Sequence, residues 1–158
     1  NQTSKELIDE IEKGIHQSIK NILKKEYGHQ GNDWFQKGIP QPIQEKTYQL
    51  HSKDKFKEEQ FNYLYIVDYQ AIIGNNKNWQ LMKNIFSDPN WRIVKEDVED
   101  RTNKKLSQKE ASLYWFKKLN DIRKKVSHPT RSPVTKMEYD FLNELSGWLM
   151  PRLSEHLS

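Results

Sequence analysis

With 158 residues, 34% apolar and 30% charged, five Trp and seven Tyr, the chain suits one domain, 1–158, with a thin core and a polar exterior. The absence of cysteine excludes disulfides and thiolate metal sites, and it fits a reducing, cytoplasmic setting. No apolar run approaches the roughly 20 residues that span a bilayer. No signal-peptide pattern opens the chain, and Asn in place of Met leads us to expect part of a longer protein, such as its C-terminal portion.

A mean hydropathy of −1.02 is low enough to raise the question of disorder, which the helical periodicity answers. From Thr3 to Tyr27, residues Leu7, Ile8, Ile11, Ile15, Ile19, Ile22 and Leu23 draw one stripe on a helix. Thr3 or Ser4 can cap its start and Gly28 can end it. The connector from Gly28 to Ile43 holds Gly31, Gly38, Pro40 and Pro42, and its Trp34 and Phe35 are expected to plug the end of a bundle. Pro42 suits the first turn of a short helix reaching about Ser52.

Phe56 to Gly74 reads as a central helix, with Asp68 as a buried partner for a basic residue. Trp79, Leu81, Met82, Ile85 and Phe86 read as a short helix ending near Asp88-Pro89. The stretch from Asp88 to Lys105 fits a loop or a weak helix anchored by Trp91 and Val94. Ser107-Gln108-Lys109-Glu110 is a capping box. It opens a helix with an inward stripe of Ala111, Trp115, Leu119, Ile122 and Val126. Thr135-Lys136-Met137-Glu138 opens the last helix, whose expected buried stripe is Met137, Phe141, Leu145, Trp148, Leu149 and Leu153, with Pro151 kinking or ending it. No strand-like alternation stands out. The expected architecture is all-α, an up-and-down bundle of four long helices with shorter ones between.

Between Arg101 and Lys136 lie eleven Lys or Arg and two acids, a net of +9; the remainder carries fifteen bases and twenty acids, a net of −5. This field surrounds Leu119-Asn120-Asp121-Ile122-Arg123-Lys124-Lys125-Val126-Ser127-His128-Pro129-Thr130-Arg131. Arg123 is a permanent cation with a fork of donors suited to phosphate. His128 carries the side-chain type able to donate or accept a proton, and Pro129 should stop the helix at about His128. Asn120, Arg123 and Ser127 share a polar stripe, with Lys124 beside them. Read structurally, His128 meets the negative end of the helix and Arg123 pairs with surface acids. Read functionally, the two form a phosphate site. His16 and His51 are expected on the surface, and His29 in loop packing. No HExxH, metal-spaced carboxylate array or glycine-rich phosphate loop is present.

The run "LNDIRKKVSHP" followed by a capped helix resembles the signature of the HEPN superfamily, an arginine followed after four to six residues by a histidine. "WFQKGIP" and "YLYIVDYQAIIGNNKNWQLMKNIF" are similar to the branch shared by a eukaryotic mRNA-surveillance endonuclease and many bacterial proteins. The resemblance implies a helical bundle forming a homodimer, in which two Arg/His sets make one cleft. It further implies RNA cleavage without metal or cofactor, leaving cyclic-phosphate ends, in an antiviral or toxin–antitoxin setting with an antitoxin or a fused effector domain as partner.

Carried onto this sequence, His128 would be the general acid/base and Arg123 the phosphate ligand. Lys124, Lys125 and Arg131 would hold flanking phosphates, with Asn120 and Ser127 lining the cleft. Lys124 departs from the Asn, Asp or His that often follows the motif arginine. A second cation there either strengthens RNA binding or marks a non-catalytic RNA-binding or dimerisation module.

Overall fold

The Ile-rich stripe of the first helix becomes the spine of the molecule. In the computed structural model, which describes residues 2–87, 105–128 and 132–158, helix α1 covers Ser4–Tyr27. Thr3 caps it by accepting the Glu6 N–H at 3.1 Å. At its end Gly28 takes φ 108°, a conformation that side chains with a Cβ rarely adopt. Leu7, Ile8, Ile11, Ile15, Ile19 and Leu23 are all buried. Fully burying one such side chain contributes roughly 1.5–3 kcal/mol, so this single stripe is a large part of the core.

After α1 come α2 (Asp33–Gly38), α3 (Gln41–Lys53), a 3₁₀ turn (Gln60–Asn62), α4 (Ile66–Gly74) and α5 (Asn76–Phe86). Then follow α6 (Gln108–Ser112), α7 (Trp115–Ser127), α8 (Lys136–Leu153) and a second 3₁₀ turn (Ser154–His156). The described residues contain no strand, so the protein is all-helical. Helix α1 packs against α2, α4, α7 and α8, while α4 also meets α5 and α7.

Trp34 and Phe35 are buried in α2, and Trp34 stands edge-on to Phe61 with ring centres 5.1 Å apart. Their helical turn inside the expected connector is an addition to the sequence reading. Buried Asn78 joins three elements: it donates to the Gly38 carbonyl at 2.7 Å and the Ile72 carbonyl at 2.9 Å, and accepts from the Tyr27 hydroxyl at 3.2 Å. One side chain thereby ties carbonyls at the ends of two helices to the end of α1. Arg152 does the same for α5, donating to the Ile85 carbonyl at 2.8 Å and to Asn84.

Three sequence expectations need correction. Phe56 to Gly74 is not one central helix. Lys55 and Phe56 both adopt φ 59°, a 3₁₀ turn follows, and α4 starts only at Ile66; the spine is α1. Asp68 explains the late start, because its carboxylate accepts the Tyr65 N–H at 2.8 Å and fixes the first turn there. The capped helix after Ser107 breaks at Leu113-Tyr114 into α6 and α7, since Leu113 turns inward to burial. Met137 is 80% exposed rather than buried, for it sits in the first turn of α8, ahead of the buried run that starts at Phe141.

Other expectations match. Asp68 pairs with Lys46 through both carboxylate oxygens at 2.8 Å. Both capping boxes form, at Ser107 and at Thr135. Pro151 does not end α8 as the sequence allowed, for the helix runs through it to Leu153. The expectations for 88–104, including Trp91 and Val94, lie outside the described residues, as do Pro129 and Arg131. No helix among the described residues is long and apolar enough to cross a membrane.

Candidate functional site at the end of the seventh helix

Helix α7 buries Trp115, Phe116, Leu119 and Ile122 and turns its polar stripe outward. Trp115 fixes its rotation, stacking on Phe116 at 3.9 Å and donating from Nε1 to the Phe86 carbonyl at 3.1 Å. That rotation leaves Arg123 half-buried at the seam with α1. Its Nε donates to Glu12 Oε1 at 2.7 Å and its Nη1 to the Ser127 hydroxyl. Ser127 lies one turn onward on the same face, as the shared stripe requires. Two of the five guanidinium donors are thus engaged, and three have no protein acceptor among the described residues.

His128 is the C-cap of α7. Its backbone N–H donates to the Lys124 and Lys125 carbonyls at 3.1 and 3.2 Å, so the helix stops where the sequence indicated. Its side chain is exposed, and among the described residues no hydrogen bond or ion pair holds the imidazole. At 3.6 residues per turn, positions five apart stand roughly 140° apart around the axis. Arg123 and His128 therefore share a helix end, not a bond.

The lysines divide. Lys124 is exposed with no charge partner among the described residues. Lys125 instead pairs with Glu138 at 2.8 Å, tying the end of α7 to the start of α8, where Glu138 also accepts the Thr135 N–H at 2.9 Å. Burial pushes the Glu138 carboxyl up, but the Lys125 ammonium and the Thr135 donors outweigh it and hold the group below the ordinary carboxylate range. Asn120 is half-buried on the Arg123 face. Arg131 falls outside the described residues.

The structure adds a polar line that the sequence reading missed. One turn beyond Glu12 on α1, His16 is half-buried against Phe61, with ring centres 4.5 Å apart. Its Nε2 lies 3.0 Å from Asn62 Oδ1 and its Nδ1 2.7 Å from the Tyr69 hydroxyl. Matching donors to acceptors puts the proton on Nε2 and makes Nδ1 the acceptor for Tyr69. Burial lowers the His16 pKa from its ordinary value, against the opposing effect of the Asn62 bond. Burial, with the charges of Glu12 and Asp68, raises that of the Tyr69 hydroxyl far above normal.

His16 is therefore a half-buried, bridging histidine and not the surface residue expected. His51 also departs: it is half-buried between Phe56 and Tyr63, and its Nδ1 has no hydrogen-bond partner among the described residues. His29 is exposed and lines a cleft of about 740 Å³ with His156, Lys24 and Lys25, so it does not pack in a loop. One sequence signal pointed to His16: Glu12 and His16 stand four apart on the α1 face next to the Ile stripe. Asn62 and Tyr69, 46 and 53 residues away, gave none.

Chemically, the arrangement offers an oriented guanidinium backed by a carboxylate, a lysine with no charge partner among the described residues, and an exposed imidazole at a helix end. Among the described residues no group of three or more His, Cys, Asp or Glu could hold a metal ion. Comparison with known proteins returns no match: neither a family model, nor a curated protein, nor a solved structure is similar to this chain.

Proposed function

We propose that the chain is a HEPN-like endoribonuclease domain that cleaves RNA without a metal ion, its active cleft formed where two copies of the α7 end meet in a homodimer. In this reading the helices form the up-and-down bundle of four long helices with shorter ones between that the hydrophobic periodicity suggests. The supporting observation is the state of Arg123: half-exposed, oriented by Glu12 and Ser127, with three N–H donors that meet no protein acceptor among the described residues and suit a phosphate.

His128 takes the proton of the ribose 2′-hydroxyl as that oxygen attacks phosphorus. The bond to the 5′ oxygen breaks, and the second histidine of the dimer protonates the leaving group. A cyclic phosphate and a free 5′-hydroxyl result. Arg123 stabilises the charge that develops on the phosphoryl oxygens. Lys124 and Arg131 hold flanking phosphates, and Asn120 and Ser127 border the cleft. A cytoplasmic antiviral or toxin–antitoxin role, with an antitoxin or fused effector domain as partner, belongs to the same reading.

The test is cleavage of single-stranded and hairpin RNA in EDTA. His128→Ala should lower the rate by about 10²–10⁴, the usual contribution of a general acid/base, and Arg123→Ala should lower it comparably. Turnover that survives both substitutions, or that EDTA abolishes, overturns the proposal.

A second reading is favoured by one specific observation: among the described residues nothing positions the His128 imidazole and no carboxylate pairs with Lys124, which stands beside Arg123. It makes the domain a non-catalytic RNA-binding module. RNA binding without turnover, weakened by Lys124→Ala, would support it.

A further inference from the structure

The end of α3 spends backbone strain on an aromatic side chain that remains half outside the protein. Lys55 and Phe56 both take φ 59°, a left-handed conformation usually left to glycine at helix ends. Phe56 donates its N–H to the His51 carbonyl at 2.8 Å, closing the turn, and its ring packs edge-on to His51 at 4.8 Å. That contact accounts for one side of the ring. Phe56 nevertheless remains 55% exposed, as do Tyr48 and Tyr65.

Tyr48 is tilted 56° to Phe56 at 6.3 Å, and Tyr63 follows beyond His51 at 5.4 Å. No ring among the described residues lies parallel to Phe56, so its open surface is available for stacking. Tyr63 and Tyr65 border a shallow groove of about 340 Å³ with Lys53, Asp54 and Asn62.

Charge around these rings is unbalanced in availability, not in number. Lys53, Lys55 and Lys57 are exposed and have no carboxylate partner among the described residues. Of the acids nearby, Glu59 pairs with Lys20 and Asp68 with Lys46, while Asp54 accepts from the neutral Tyr63 hydroxyl at 2.6 Å and Glu45, one turn before Tyr48, is exposed. Glu58 accepts from Asn62 at 3.4 Å. Flat aromatic faces interleaved with free ammonium groups match a chain of bases joined by phosphates. An apolar protein partner would leave the three lysines unused.

We infer that the Tyr48–Phe56–Tyr63 surface is a stacking platform for single-stranded RNA, with Lys53, Lys55 and Lys57 on its phosphates. The inference rests on the RNA reading above and names the substrate class as unpaired strands. The platform is joined to the α7 site by the polar line already described. Asn62 lies in the groove and bonds His16, and His16 stands one helical turn from Glu12, which holds Arg123. Duplex RNA hides its base faces and gains nothing from such a surface.

The experiment measures binding of a fluorescently labelled 12-nucleotide oligo(A) and of a 12-base-pair RNA duplex by anisotropy. Tyr48→Ala/Phe56→Ala should weaken oligo(A) binding about tenfold or more, since each stacked base contributes substantially, and leave duplex binding unchanged. Phe56→Trp should retain it. Lys53→Gln/Lys57→Gln should flatten the salt dependence by about 0.7 in log–log slope for each phosphate no longer neutralised.

Unchanged oligo(A) affinity in the aromatic double variant overturns the platform even if cleavage by the wild type proceeds. Platform binding that persists while Arg123→Ala and wild type are equally inactive sinks the nuclease and leaves the platform standing. Wild-type dimerisation abolished by the same aromatic substitutions, with RNA affinity unaltered, makes the surface a protein interface and overturns the inference.

Discussion

Arg123 commits two donors inside the fold, and its other three have no protein acceptor among the described residues, the state that the proposed phosphate site would use. No such division holds at His128, whose imidazole no neighbour positions among the described residues. His16 is the opposite case, with both ring nitrogens engaged. Its pKa is lowered in the fold, so the unfolded chain takes up the proton more readily as pH falls below about 6.5. Stability should therefore decline between pH 7 and the folded pKa, no more steeply than ~1.4 kcal/mol per pH unit, and level off below it. Urea denaturation at pH 7.5, 6.5 and 5.5 checks this. His16→Gln, which has no proton to gain, should flatten the profile, and an unchanged slope would assign it to other groups.

Individual helices were legible wherever a single stripe met water on one side. The α1 stripe, its Thr3 cap and its Gly28 stop could be read directly, because all three depend on neighbours within a turn. The region from Phe56 to Gly74 could not be, because Asp68 chooses the start of α4 by bonding Tyr65 and Lys46, and Lys46 lies on another helix. Met137 shows a related limit: its spacing fits the α8 stripe, but the first turn extends past the core, and periodicity does not report where a core ends. Within α8, Gly147 is exposed, and a Cβ there would meet nothing within 4 Å. A helical glycine in open space costs about 1 kcal/mol relative to alanine. Gly147→Ala should thus raise the midpoint of thermal unfolding by about 2–4 °C. Gly14 is different, since its Cβ would lie 3.0 Å from Met150 Cε, and Ala there should gain less.

At the scale of the molecule, folding redraws the charge map that the sequence suggested. The basic window around α7 looks strongly positive along the chain, but Glu12 folds against Arg123, Glu138 against Lys125, and Asp121 against Lys117. Lys118 lies over the Phe141 ring at 4.6 Å. Two of those carboxylates come from outside the window, which is why counting along the chain overstated the field. Glu12 thus has two opposed effects on any polyanion. It orients the Arg123 fork, which favours a defined phosphate geometry, and it cancels the charge that attracts phosphate at all. Glu12→Gln separates the two. An ion pair this exposed is worth ~1 kcal/mol or less, so the variant should stay folded and bind RNA up to roughly fivefold more tightly at low salt. Cleavage at saturating RNA should fall, because a guanidinium freed from Glu12 no longer presents its donors where charge develops in the transition state. Anisotropy titrations and single-turnover cleavage of the same RNA read the two effects independently. Tighter binding with slower cleavage makes Glu12 a positioning residue, whereas unchanged values for both would reduce the Glu12–Arg123 pair to a tie between α1 and α7.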